Sequence, residues 1–372
     1  MRILFHDFKM PYLLKNLQFP IGGFTIRLKQ IIQELSKYDN DVAVITWEGS
    51  NNFVEQAHDF KLLEAYSPEK GIKKIGWIYY KLPKLYKTVK IFNPDVIIQG
   101  CASINSGFFA LISKILKIPF IYMAANDIDS DDRYKYRLNI QEQIGFRYGL
   151  KHCDGIICQN IYQYDQFKKQ FPHKKIEIIR NPYQFSKAHN NNCNNKRNYI
   201  AWIGVFQKQK NLSTLFQLAS SNKHYQFCIA GIEGKLDQET KDSLLKLKKL
   251  DNVQFIGYLG RDKILLFLSK AIALLNTSDY EGLPNTFLES LSVGTPILSI
   301  NSNPNNMLSE HKLGYIIDVN NFENTVKKIQ TKFDYNNSYP KFINYLKCYH
   351  DPKEIALQLN NFCSQIVNKK HH

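Results

Sequence analysis

Apolar residues in this chain fall in short, dense runs separated by amphipathic stretches, and the two alternate from the first residue onward. Residues 1–5, 41–47, 95–99, 120–124, 155–158 and 176–179 are apolar or β-branched runs of strand length, the pattern of strands covered on both faces. Between them, apolar positions recur at helical spacing over 24–37, 106–116 and 133–151. A polar, asparagine-rich stretch at 187–198 interrupts the rhythm and reads as a linker. The rhythm then restarts, with strands at 199–204, 225–231, 253–257 and 271–276 and helices at 212–219, 239–250 and 262–269. A last amphipathic helix covers about 352–368. Alternating strand and helix signals predict an α/β fold with parallel sheets. The interruption predicts two such domains, 1–186 and 187–350, followed by a helical segment at 351–372. In folds of this kind ligands sit at the carboxyl ends of the strands.

The most specific stretch runs from Asp279 to Leu298, DYEGLPNTFLESLSVGTPIL. Gly282 and Pro284 break the backbone, Asn285 is a suitable N-cap, and Thr286 to Val293 reads as a helix ended by Gly294. Free N–H groups at a helix start attract phosphate oxygens. Glu281 precedes that pole, and Glu289 lies one turn inside the helix, where it can accept hydrogen bonds from hydroxyls. A diphosphate flanked by hydroxyl-bearing groups describes a nucleotide sugar.

A second candidate follows the strand at 199–204. In WIGVFQKQKNL, Gly204 ends the strand and Lys210-Asn211 precede a helix. A lysine held there neutralises diphosphate oxygens as a leaving group departs. A third is Gly22-Gly23, ahead of an amphipathic helix, where a glycine pair lets the backbone approach a phosphate closely.

These motifs resemble the retaining glycosyltransferases of the GT-B fold, family 4 type, whose signature is E-x7-E. The resemblance spans nearly the whole chain and is specific around 204–211 and 281–296. It implies two Rossmann-like, doubly wound domains facing across a cleft, with a C-terminal helix crossing back to the N-terminal domain. It implies Glu281 at the donor sugar, Glu289 at the ribose, and the backbone of Gly282, Leu283, Pro284, Asn285, Thr286, Phe287 and Leu288 at the diphosphate. Lys210 falls on the family's phosphate lysine, Gly204 on its glycine, and Gly22-Gly23 on its glycine pair. Tyr258 and Leu259 fall on the loop that reads the nucleotide base.

The chain also departs from the pattern. Val205 stands where the family carries a second phosphate cation, a loss of roughly 1.5–3 kcal/mol unless Lys208 reaches in. Asn126 stands where many relatives have a histidine near the reacting sugar, and an amide can bond a hydroxyl but cannot take a proton. The run 301–306, NSNPNN, lacks the usual glycine pair. Catalysis is therefore assigned to Glu281, Lys210 and Asn126, with no cofactor and no metal. The acidic run Asp127-Ile-Asp129-Ser-Asp131-Asp132 has carboxylates that could hold a divalent ion, but it is read as an exposed acidic loop supplying helix caps.

Composition narrows the setting. The 372 residues are 44% hydrophobic and 22% charged, as in ordinary globular proteins. There is no uncharged apolar stretch of spanning length and no signal-peptide pattern, and the seven cysteines are scattered. Those features point to a reduced, cytoplasmic protein, with Cys153 and Cys158 as core thiols rather than metal ligands. The net charge is +16, and the basic residues are uneven: the acid-free stretch Lys70–Lys90 holds seven lysines and interleaves Trp77, Tyr79, Tyr80 and Tyr86. That segment is either an anionic-membrane contact on the inner face of the cell membrane or a helix with a solvated lysine face. No nucleic-acid recognition motif accompanies it. The expected partners are a nucleotide-sugar donor and a saccharide or lipid-linked acceptor of surface polysaccharide synthesis. A nucleotide-sugar epimerase or hydrolase, or a silent nucleotide-sugar-binding scaffold, would use the same fold.

Overall fold

A computed structural model of the chain describes residues 1–15, 17, 21–54, 59–72, 75–185 and 197–371. The chain divides into two compact units, Met1–Pro182 with Pro352–His372, and Tyr183–Asp351. Of the predicted linker only 197 and 198 are described, and Lys73 and Lys74 also lie outside the described residues.

Unit 1 holds a seven-stranded sheet in the order β3-β2-β1-β4-β5-β6-β7. Its strands are β1 (Arg2–His6), β2 (Asp41–Thr46), β3 (Lys61–Glu64), β4 (Val96–Gly100), β5 (Phe120–Met123), β6 (Gly155–Cys158) and β7 (Lys175–Ile178). Every pairing is parallel, with Ile3 opposite Val42 on one side and Val96 on the other. Unit 2 holds a six-stranded parallel sheet in the order β10-β9-β8-β11-β12-β13. Its strands are β8 (Tyr199–Phe206), β9 (Phe227–Glu233), β10 (Val253–Gly257), β11 (Ala271–Asn276), β12 (Ile297–Ser299) and β13 (Gly314–Ile316). Both are Rossmann-like sheets whose strand order reverses once, between β1 and β4 and between β8 and β11.

Each sheet has a buried apolar cluster on both faces, which is why its central strands read as continuous apolar runs. On one face of unit 1 the helix Gly23–Leu35 and the C-terminal helix Pro352–His371 share a core, in which Leu28, Ile31 and Leu35 are buried with Leu359, Phe362 and Ile366. The chain therefore returns to unit 1 at its end.

The predicted helix over 133–151 is two helices, Tyr134–Arg137 and Ile140–His152, with Leu138 extended between them. Asn139 and Glu142 bond each other's backbone N–H at 3.0 Å, a capping box that restarts the helix. Strands β3 and β13 were not expected. They are short and lie at sheet edges, half-buried, so their apolar pattern is weak.

Candidate functional site

In unit 2 the site residues converge on the reversal between β8 and β11, the crevice where open α/β sheets bind ligands. After β8 the chain makes one tight turn, Lys208–Lys210, and leaves it through Asn211 in the left-handed region at φ 47°. Asparagine tolerates that conformation. Its side chain then accepts from the Thr214 N–H at 3.0 Å, capping the helix Leu212–Ser221, and donates to Asp279 at 2.7 Å. The segment after β11 is tied to the same turn. The Asp279 N–H donates to the Gln209 carbonyl at 2.9 Å, and the Thr277 hydroxyl donates to the Lys210 carbonyl at 2.8 Å. Thr277 is itself held by the indole N–H of buried Trp202 at 3.0 Å.

That framework presents Lys210 to Glu281. The ammonium lies 2.6 Å from Oε1, and the Gln209 amide donates to Oε2 at 3.3 Å and to the Tyr280 carbonyl at 2.7 Å. Both side chains of the ion pair are largely buried, 18% and 10% exposed. Gly204 makes room for the lysine: a Cβ there would stand 3.4 Å from Lys210 Cδ and Cε and 2.9 Å from the Trp202 ring. Gln209 was not singled out from the sequence, although it adjoins Lys210; only the fold shows that it shares Glu281.

The helix that follows is Asn285–Ser292, and its N-cap is Pro284 rather than Asn285. Proline fixes the entry φ at −63° and has no side-chain acceptor, so the N-cap residue itself makes no side-chain cap. The Phe287 N–H is taken by the Pro284 carbonyl at 3.1 Å, which removes it from the set expected to face a diphosphate. Leu283, Phe287 and Leu288 bury their side chains in the unit 2 core. Gly282 and Pro284 are buried, and the half-buried residues of this turn are Asn285 and Thr286. Glu289 lies one turn further on, 8% exposed. After β10, Gly257 takes φ 79°, Tyr258 is exposed, and Leu259 packs on the core. Where a glycine pair was missing, Asn305 and Asn306 adopt φ 53° and 54°, so asparagines supply the left-handed turn.

In unit 1 the predicted residues lie around the other reversal. Gly22 is the N-cap of the helix Gly23–Leu35, and a Cβ on it would meet nothing within 4 Å. Asn126 follows β5 and is itself a cap: its Oδ1 accepts from the Ile128 N–H at 3.3 Å, in a capping box with Asp129. The acidic run is not the exposed loop expected. Asp129 is 1% exposed, accepting from the Tyr122 hydroxyl at 3.1 Å and pairing with Arg137 at 3.1 Å. Asp127 accepts from Asn160 and Gln163, Asp131 pairs with Arg133, and Asp132 with Lys135. Its carboxylates are committed to protein partners.

Asp7, at the carboxyl end of β1, was missed. It is 7% exposed, its Oδ1 accepts from the Lys9 N–H at 2.7 Å, and its Oδ2 has no partner among the described residues. Burial raises its carboxyl pKa. Beside it, burial lowers His6 to about 4, and Cys101 turns left-handed at φ 65°. A strand-end HD dipeptide carries no distinctive spacing, so only burial reveals it.

Two family models match in tandem. Residues 21–186 match Glycosyltransferase Family 4 and residues 184–347 match Glycosyl transferases group 1. The chain carries the two domains of a GT-B glycosyltransferase. The α-monoglucosyldiacylglycerol synthase of Streptococcus pneumoniae is 22% identical over 80% of this chain and 72% of its own. The sucrose-phosphate synthase of Thermosynechococcus elongatus superposes with a TM-score of 0.74 at 14% identity, over 99% of this chain and all of the other. A mutant of S. aureus TarM, solved with fondaparinux, α-GlcNAc-glycerol and UDP, gives 0.70 at 10% identity over 97% and 99%.

In this GT-B glycosyltransferase Val205 packs where an arginine is usual: a Cβ on Gly234 would stand 2.6 Å from its Cγ1. Lys208, the other cation of this turn, forms no ion pair with Glu281 among the described residues. It is exposed, and its charge helps to hold the Asp237 carboxyl below the usual range, after the hydrogen bonds from Thr240. No helix among the described residues is long and apolar enough to cross a membrane.

Proposed function

We propose that the protein transfers a sugar, with retention of anomeric configuration and without a metal, from a nucleoside-diphosphate sugar to a saccharide or lipid-linked acceptor. The observation carrying this reading is the Lys210–Glu281 pair at the β8/β11 reversal, beside the start of a helix whose N-cap is a proline. An ammonium has three protons. One is given to Glu281 at 2.6 Å, and the others can meet the departing diphosphate. Glu281 then orients the sugar, Glu289 the ribose, and Asn126 a sugar hydroxyl. The UDP in the TarM structure and the lipid product in the S. pneumoniae enzyme's name support the donor and acceptor classes.

A cytoplasmic protein resting on an anionic membrane is consistent with the segment before and within Leu82–Phe92. Trp77, Tyr80 and Tyr86 pack inward, while Ile72, Ile75, Ile78 and Tyr79 are each more than half exposed. Part of the charge is spent locally, because Lys70 and Lys84 both pair with Glu48.

The test supplies candidate nucleotide sugars with saccharide and glycolipid acceptors and follows nucleoside diphosphate release in the presence of EDTA. Nuclear magnetic resonance then reads the anomeric configuration of the product. An α-linked donor giving an α-linked product, undiminished by EDTA, is expected. A β-linked product would overturn retention, and release without any acceptor would favour a hydrolase or epimerase.

A further inference from the structure

Three helix ends meet at the amino edge of the unit 1 sheet, away from every residue assigned to transfer. The helix Ile104–Leu116 returns from β4 and delivers Lys117 to the start of β5. The helix Ile140–His152 ends beside the start of β6, and Pro352–His371 brings Lys370 to the same place. Between them is a cavity of about 220 Å³ lined by Ala110, Ser113, Lys114, Lys117, His152 and Lys370.

Basic residues at helix C-termini commonly serve the last carbonyls and the helix dipole, and part of this cluster does that. Lys370 donates to the Ile118 carbonyl at 3.1 Å and pairs with Asp154 at 3.0 Å. Lys174 donates to the carbonyls of Lys151 and Cys153. The Ser113 hydroxyl is taken by Ile118. Lys114 and Lys117 are different: they form no ion pair among the described residues, yet both line the cavity with His152. Asp154 partners the lining residue Lys370, and its Oδ2 is shared with the Phe120 N–H. Around His152, the Tyr148 ring packs at 4.3 Å between centroids, tilted by 46°. Burial and the charges of Lys151, Lys114 and Lys174 hold its imidazole pKa below the usual value. The concavity is therefore lined by two exposed lysines with no ion pair among the described residues, by the exposed His152 ring, and by Lys370, which is already paired with Asp154.

We propose that this pocket binds a phosphate monoester group, held by Lys114, Lys117 and His152. Lysines suit phosphate as point charges, and here two from the end of one helix lie beside the histidine that ends another. The volume leaves room for a phosphate with several waters. A single concavity does not fit nucleic acid, which needs an extended stripe of charge. The proposal does not depend on the transferase reading.

The test follows the His152 ring signals of the full chain by nuclear magnetic resonance, assigned with His152→Gln, across pH and with added inorganic phosphate. Bound dianion favours imidazolium. The His152 pKa should rise by about one unit, a tenfold gain in proton affinity, and by more than chloride of equal ionic strength produces. Lys114→Ala with Lys117→Ala should abolish the phosphate response while raising the phosphate-free pKa, because the repelling charge of Lys114 is gone. A parallel flotation assay compares vesicles of phosphatidic acid with vesicles of phosphatidylcholine. Vesicle binding that the double variant loses identifies a lipid headgroup as the source of the phosphate, whereas response to free phosphate alone identifies a soluble one. If phosphate and chloride act alike and neither vesicle is bound, or if the double variant responds like the wild type, the pocket is not a phosphate site.

Discussion

Replacing Lys210 by methionine separates a structural ion pair from a catalytic one. The substitution keeps the side chain's length over Gly204 and removes only the charge. Glu281, 9% exposed, then keeps one long hydrogen bond, from Gln209 at 3.3 Å. Removing one partner of a fully buried pair costs about 3–5 kcal/mol. Lys210 is 18% exposed and water can reach the site, so about 2 kcal/mol of stability is expected here. Adding Glu281→Gln removes the stranded carboxylate, and the double variant should recover most of that loss in a chemical denaturation series. Activity should not recover. A cation stabilising a departing diphosphate contributes about 3–4 kcal/mol to the barrier, so nucleoside diphosphate release should fall roughly a hundred- to a thousandfold in the single and double variants alike. If the double variant regains turnover along with stability, the pair is scaffold and the reasoning about Lys210 fails.

Gly204→Ala places a methyl 2.9 Å from the buried Trp202 ring and 3.4 Å from the Lys210 side chain. Overpacking of this kind costs about 1–3 kcal/mol, so thermal unfolding should drop by several degrees and turnover should fall with it; an unchanged melting profile would show that the strand relaxes freely. Asp7→Asn should have the opposite effect on stability. The folded carboxyl pKa is raised, so the folded chain holds its proton longer than the unfolded one, and stability is lost as pH climbs through that window. The neutral amide escapes this cost. The variant should therefore gain about 1 kcal/mol at neutral pH, a gain that vanishes in acid below the unfolded carboxylate range. A gain independent of pH would refute the buried-charge account.

Membrane or no membrane, the alternation of apolar runs and amphipathic stretches already fixed two parallel α/β units, because a strand covered on both faces has no polar alternation to disguise it. The glycine and proline punctuation around residues 204–211 and 279–298 likewise marked the loops that carry Lys210, Glu281 and Glu289. Local pattern failed where several local options were nearly equal. Asn285 has the side chain of an N-cap, yet the fold puts Pro284 at that position and Asn285 inside the helix. The acidic run looked exposed until Tyr122 and Arg137, close in sequence, and Asn160 and Gln163, more than thirty positions away, closed around it. What only tertiary structure decided is which side chains come together: Gln209 with Lys210 at Glu281, the burial of Asp7, and the lysines gathered around His152. Such groupings join residues tens to hundreds of positions apart, so their electrostatics exist only once the sheets have brought the loops together.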